Sequence, residues 1–457
     1  MSAVSMLLHK VLQSGLCRAN TRCSSSSVKF EPFARIEPVA PNEHNRLEAA
    51  YHKDTSPLKL NLSGEFYRNS DGKPQVFQAV HKAAIGVACD EKLSQEPLPP
   101  LGNADFIKAA NELILTNSAE ALLEKRVLGV QTRSSLDALR VAAQFLREKM
   151  KCNVCLLAKP SSETYERIFK QVGFQCHSYQ YFSEAKGELN VFGLVADLMT
   201  APEGTVVLLD ACAQNPTGLD PSVDEWKLIS HIIKCKKMLP LLHLESHGLA
   251  TGDVVQDAWP VRYFAGCGFD VLCAQSFVKN FSLYNETVGQ LMIVLGNPKH
   301  LPAVREHLEN MLLTEKEQSS SVFASRIVAK ILTTTALHQE WTHTIKDIHQ
   351  RLHKMRTLFA KKLKELKTPG NWDHLSDQKG PYLYTNLKNK HLQQLQARHI
   401  YIPSSGRINV GALRTNNVEY LASAINDVLK CKQTDTVDTA DLTSAHLHAL
   451  QHFFNAA

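Results

Sequence analysis

The sequence predicts an α/β protein: a large domain on a mostly parallel sheet flanked by helices, plus a smaller α+β domain. Three observations carry this. Strand-like apolar runs alternate with helix-period segments through the middle of the 457 residues. The runs recur at intervals of about 33 residues, the spacing of βαβ units. The last third changes character, to long charged helices and short strands.

Residues 1–30 hold Lys10, Arg18, Arg22 and Lys29 and no acid, with Leu7, Leu8, Val11, Leu12 and Leu16 at roughly helical spacing. That is the composition of a mitochondrial presequence; a disordered leader is the alternative. Residues 31–74 read as an N-terminal arm and part of the small domain, with 56–74 extended and turn-rich. Residues 75–345 form the large domain. Its strands include the run from Cys152 to Ala158, Thr205–Asp210, Met238–Leu244 and Asp270–Gln275, and its helices cover 224–237 and 257–267. Residues 346–431 form the small domain: helices within 340–367, strands near Tyr382–Leu387 and His399–Pro403, and a helix from Val418 to Leu429. A polar tail, 432–457, includes a candidate short helix around Ala445–Phe454.

Composition narrows the function classes. The net charge is +6, from 51 Lys and Arg against 45 Asp and Glu, and the leader supplies four of those charges. The body is left close to neutral, which gives no sign of a nucleic-acid-binding face. No apolar run approaches the ~18 residues of a spanning helix, so no membrane segment is expected. Eleven scattered Cys without a secretory signal read as free thiols of an intracellular protein. Cys152 and Cys155 form a single CxxC inside a strand, where Cys is a small hydrophobe. His349 and His353 share a polar helix face without an HExxH pattern, and no metal site is expected.

Ligands of parallel sheets sit beyond the carboxyl ends of the strands. Three segments reach that rim: 214–218 (QNPTG), 243–248 (HLESHG) and 275–285 (QSFVKNFSLYN). Lys279 lies between Val278 and Phe281, so partial desolvation is expected to lower its pKa and free its amine for Schiff-base chemistry. Asn215 precedes Pro216 and is expected to be extended, with its amide over the rim. Arg407 sits in a loop before a strand and suits bidentate carboxylate capture. Taken singly, each residue also has a plain surface or structural reading.

Together these segments resemble a known family. AQNPTG at 213–218, SFVKNFSLYN at 276–285, SGRINV at 405–410, LPPLGNADF at 98–106, EKRVLGVQ at 124–131 and LKTPGNWDHLSDQ at 366–378 resemble the aspartate aminotransferases of the pyridoxal-phosphate class. The resemblance runs from about residue 55 to about 430. It implies the fold type I architecture, a homodimer with sites at the subunit interface, pyridoxal 5'-phosphate as cofactor, and amino transfer between aspartate or glutamate and 2-oxo acids. Lys279 would carry the cofactor and shuttle the proton. Asn215 would bond the cofactor's phenolic oxygen, and Ser276, Ser134 and Ser135 would face its phosphate. Arg407 would clamp the substrate α-carboxylate. The C-terminal third is similar to the cytosolic branch.

The sequence departs from that family at the site. His243 stands where an aspartate supports the ring nitrogen, and a neutral imidazole supports that proton less well. Ser246 replaces a tyrosine, Thr287 a phosphate-pairing arginine, and Ser162 a stacking indole. The phosphate loop reads Ser134, Ser135, Leu136 and Asp137, where Ser134 with Asp137 resembles a self-satisfied capping box and Asp137 repels a phosphate. Arg133 is a candidate compensating charge. Glu65 replaces a glycine beside the α-carboxylate. Thr314 and Pro97 replace an arginine and a tyrosine that act across the dimer. Two alternatives to a working transaminase follow: a catalytically impaired paralogue with a structural or regulatory role, and a different pyridoxal-phosphate reaction on an amino acid.

Overall fold

The computed structural model describes residues 32–33, 36–37, 42–94, 96–116, 119–313 and 321–430. The leader, the tail and Thr314 lie outside the described residues. Of the unit Met1–Asn42 only a turn at Pro32–Phe33 and residues 36, 37 and 42 are described.

Seven strands form the central sheet: β1 (Val127–Thr132), β2 (Val154–Lys159), β3 (Gln175–Gln180), β4 (Val206–Asp210), β5 (Leu239–Leu244), β6 (Val271–Ser276) and β7 (Gly289–Val294). Their spatial order is β1-β7-β6-β5-β4-β2-β3. Strand β7 runs antiparallel to both neighbours and every other pair is parallel. Six strands therefore end on one rim, which matches the mostly parallel sheet read from the sequence. Strands β1, β3 and β7 were not among the sequence-derived strands, and β7 breaks the βαβ rhythm.

The inner strands are buried on both faces, which is why they read as continuous Val/Leu runs. One face packs Val130, Leu208, Leu241, Leu272 and Leu291 into one apolar cluster; the other packs Val207, Leu242, Cys273 and Met292 into a second. Cys155 lies fully buried in β2, as a strand hydrophobe does.

Four helices matter to the site. Helix α1 (Ser135–Glu148) starts three residues after β1 ends, and α2 (Glu163–Val172) is capped by Ser162, whose Oγ accepts from Thr164 N. The charged stretch of the last third is one continuous helix, α3 (Thr335–Glu365). It buries Trp341, Ile345, Ile348, Leu352, Met355, Phe359 and Leu363, a stripe of period 3.6. Helix α4 (Thr415–Lys430) packs against it. Beyond α3, β8 (Tyr382–Tyr384) pairs antiparallel with β9 (Arg407–Asn409), and the two-residue strand Leu60–Asn61 pairs parallel with Ile400–Tyr401. A third apolar cluster joins Leu60, Leu62, Phe277 and Phe281 to the α3 stripe and to α4.

Helix α3 also reaches the rim directly. The fully buried Trp341 donates from its indole to Asn280 O at 2.7 Å and stacks on Phe281 at 4.7 Å. Buried Arg356 donates to Gly380 O at 2.6 Å and Tyr382 O at 3.3 Å, and desolvation brings its pKa down to about 10. One helix thus fixes the backbone next to Lys279 and next to Tyr382. Trp341→Ala removes a fully buried aromatic and its bond, so we expect a loss of about 3–5 kcal/mol in urea unfolding. A loss under about 1 kcal/mol would show that the helix does not anchor the rim.

Candidate active site

The carboxyl ends of the strands bring the sequence-derived residues together. Asp210 ends β4, His243 lies opposite it in register on β5, and Ser276 ends β6. Ser276 is paired with Gly289, whose Cα lies against the Ser134–Ser135 peptide, so a side chain there would collide with the start of α1. Lys279 follows β6 by three residues and is buried.

Lys279 Nζ lies 3.0 Å from Glu245 Oε1 and donates to the Tyr382 hydroxyl at 2.7 Å. Its ammonium also stands 4.5 Å from the centre of the Tyr382 ring. Burial alone would lower its pKa, as the sequence reading expected. The carboxylate of Glu245, with Tyr382 and Glu65 behind it, outweighs that and raises it well above the usual lysine range. The freed amine expected from desolvation is thus corrected to a paired ammonium. Burial likewise acts to raise Glu245, and the Lys279 charge outweighs it, bringing its carboxyl to about 2.

Arg407 is placed across Tyr382, its guanidinium 4.0 Å from the ring centre. It reaches Glu65 Oε1 at 3.3 Å and donates to Asn215 Oδ1 at 3.4 Å. Asn215 is buried and its peptide to Pro216 is cis. Its carbonyl oxygen engages Arg407, so the amide presents its acceptor to that residue.

His243 is buried and bonded at both ring nitrogens. Nδ1 lies 2.8 Å from Asp210 Oδ1 and 3.1 Å from the Tyr165 hydroxyl; Nε2 lies 2.9 Å from Ser135 Oγ. Carboxylate pairing at Nδ1 fixes that nitrogen as the proton carrier and leaves Nε2 as an acceptor for the Ser135 hydroxyl. A carboxylate therefore does stand in this corner of the site, one strand away from the position expected from the family pattern.

At the start of α1, Ser134 Oγ accepts from Asp137 N at 3.2 Å. The Asp137 carboxylate does not close a capping box on Ser134 N. It accepts from Arg133 N at 3.0 Å and pairs with Arg133 and Arg140, each at 3.1 Å. Burial raises its pKa, but the Arg133 bonds and the Arg140 charge win and hold it below the usual range. Arg133, the candidate compensating cation, is thus engaged by Asp137. Ser135 and Leu136 open helix α1, where no preceding helical turn supplies acceptors for their backbone N–H groups. Ser276 Oγ accepts from Val278 N at 3.2 Å. Ser246 is buried, Thr287 half-buried and Pro97 exposed.

Four contributing residues were missed by the sequence reading. Glu245 was detectable: in HLES it comes directly after β5, at the carboxyl-end rim where ligands of such sheets sit. Asp210 needed the strand register, and Tyr165 and Tyr382 needed tertiary packing. Among the described residues no group of His, Cys, Asp and Glu could hold a metal ion, and no helix is long and apolar enough to cross a membrane.

The Glu245 shift carries a pH signature. A carboxyl lowered from 4.5 to about 2 stabilises the fold fully above its ordinary value and loses that contribution as the pH falls toward 2. Urea midpoints across that window should therefore fall less steeply for Glu245→Gln than for the parent chain. Equal slopes would mean that the ion pair does not form in solution.

Comparison with known proteins agrees with this geometry. The model of the family "Aminotransferase class I and II" matches residues 57–425. The chain is 35% identical over 401 residues to the cytoplasmic aspartate aminotransferase of Caenorhabditis elegans, covering 87% of this chain and 98% of that protein. It is 36% identical over 404 residues to that of Gallus gallus, with the same coverage. Among solved structures it resembles the Saccharomyces cerevisiae cytoplasmic aspartate aminotransferase, with TM-score 0.83, 32% identity and coverage of 87% and 98%. It also resembles an aromatic-amino-acid aminotransferase of Burkholderia pseudomallei covalently bound to pyridoxal phosphate, with TM-score 0.83, 30% identity and coverage of 88% and 100%. The chain belongs to the class I and II aminotransferase family.

Proposed function

We propose that this protein transfers amino groups between an amino acid of the aspartate or glutamate type and a 2-oxo acid, using pyridoxal 5'-phosphate. The observation that carries the reading is the convergence of a buried amine, Lys279, and a guanidinium, Arg407, on Tyr382. The relatives' names favour this over an altered reaction or a silent chain.

The residues present fit the cofactor. The first-turn N–H groups of Ser135 and Leu136, at the start of a 14-residue helix, suit a phosphate, with the hydroxyls of Ser134 and Ser276 nearby. When bound, pyridoxal phosphate supplies an electron sink that stabilises negative charge at the substrate α-carbon. Lys279 Nζ provides the reactive amine and would take the proton from the substrate α-carbon and return it on the cofactor side. Asn215 holds its amide at the rim beside Arg407. His243 offers Nε2 as an acceptor whose basicity Asp210 supports through Nδ1. Arg407 binds the substrate carboxylate through its Nη atoms, which requires that it release Glu65.

The same reading assigns a small domain made of 31–74 and 346–431, a large domain of 75–345, and a homodimer. The leader sends the chain to the mitochondrial matrix if it acts as a presequence; the resemblance of the C-terminal third to the cytosolic branch favours the cytoplasm.

The test is spectroscopic and then kinetic. Added pyridoxal phosphate should give a protein-bound absorbance band that Lys279→Ala abolishes, and aspartate with 2-oxoglutarate should yield oxaloacetate. No band at saturating cofactor would defeat the reading. A second prediction concerns Glu65. Its bond to Arg407 competes with substrate, but Glu65 is half exposed, so water screening reduces the pair to about 0.5–1 kcal/mol. Glu65→Gln should therefore lower KM for the amino acid about two- to fivefold. An unchanged KM would show that Arg407 does not meet the substrate carboxylate.

A further inference from the structure

We propose that Glu245 is a latch on Lys279: a positioning residue whose carboxylate holds the amine as an ammonium and so sets how readily Lys279 condenses with an aldehyde. The inference rests on the reading of Lys279 as the cofactor-bearing amine and adds a residue that controls it.

Glu245 follows directly after β5, and its Oε1 lies 3.0 Å from Nζ. The lysine side chain is 4% exposed and the glutamate 18%, so water screens the pair weakly. Nζ also donates to the Tyr382 hydroxyl at 2.7 Å. Two of its three N–H bonds are thus committed, and the lone pair exists only after a proton leaves. The charged and titratable groups around Nζ are Glu245 after β5, Tyr382 on β8, Arg407 on β9, Glu65 on the N-terminal arm, His243 with Asp210 at the ends of β5 and β4, and Tyr284 beyond Lys279 itself. Arg407 is matched by Glu65 and His243 by Asp210. Glu245 is the carboxylate in ion-pair contact with Nζ.

In the step under control, the ammonium gives one proton to solvent through Glu245. The freed lone pair forms a C–N bond to the aldehyde carbon, the two remaining amine protons go to the carbonyl oxygen, and that oxygen departs as water. No oxidant or reductant enters. The latch acts on the first event, so it shifts the pH at which condensation proceeds. Tyr382 contributes a neutral bond: burial and then the Glu65 charge push its hydroxyl up to about 12. Its removal leaves the charge on Nζ paired.

The experiment uses the full chain and two aldehydes. Protein is incubated with pyridoxal phosphate, or separately with formaldehyde, across pH 6 to 10, and the imine is trapped with cyanoborohydride (a range of about four pH units below the ordinary lysine titration). The adduct on Lys279 is quantified by peptide mass spectrometry. Glu245→Gln should speed trapping about tenfold or more at each pH of that range with both aldehydes, so that the variant reaches a given rate about one pH unit lower than the parent. Glu245→Asp, which keeps the charge, should retain most of the parent profile, and Tyr382→Phe should shift it far less than Glu245→Gln. If Glu245→Gln does not fold, Glu245→Asp and Tyr382→Phe still decide the matter: a Tyr382→Phe shift exceeding that of Glu245→Asp by about tenfold overturns the latch. Unchanged or slower trapping in folded Glu245→Gln overturns it outright. Faster formaldehyde trapping with no pyridoxyl adduct in either protein keeps the latch and defeats the cofactor reading instead.

Discussion

A lysine ammonium buried at the end of β6 cannot stand without a counter-charge, because an isolated cation in the interior costs far more than a paired one. The rest of the site is arranged around that constraint. Glu245 supplies the charge, Tyr382 supplies a second acceptor, and Arg356 on α3 holds the Tyr382 backbone in place. Trp341, on the same helix, holds the carbonyl next to Lys279. The position of the amine thus depends on a helix that begins 56 residues later, since 335 follows 279 by that number.

The same balancing recurs at each charged group of the rim. Arg407 is met by Glu65, His243 by Asp210, and Asp137 by Arg133 and Arg140. At a site expected to attract a phosphate and a dicarboxylate, each of these charges already has an opposite charge in contact. Ligand binding here is an exchange of partners rather than the filling of a positive pocket. Such exchange gains less than binding to unpaired cations, since each new charge-assisted bond replaces an old one. The substitution of His for the expected carboxylate fits this pattern: it places a hydrogen-bond relay, Asp210 to His243 to Ser135, where one carboxylate would have stood.

Much of this was legible in the sequence. The parallel strands β4, β5 and β6 announce themselves because a strand buried on both faces must be apolar throughout. The rim position of Asn215, Lys279 and Ser276 follows from where those strands end. Ser134 as a cap follows from its place before a helix-period run, although Asp137 turned out to close on Arg133 N rather than on Ser134 N. Antiparallel β7 was not legible, because its apolar run carries no mark of direction. The lysine pKa was misjudged for a related reason: burial was visible in the neighbours Val278 and Phe281, whereas the opposing charge came from Glu245, which follows another strand.

By itself the sequence determined the fold class, placed Lys279 and Arg407 as the candidate amine and candidate guanidinium, and showed the loss of several charges that the family pattern carries. These are properties of local pattern, where the period of apolar residues and the order of motifs along the chain suffice. Only the tertiary structure decided which charges meet: Glu245 with Lys279, Glu65 with Arg407, Asp210 with His243. The physical reason is that Coulomb pairing depends on distances of a few ångströms across strands and between remote segments. Those distances are set by register and packing, which local residue patterns do not specify.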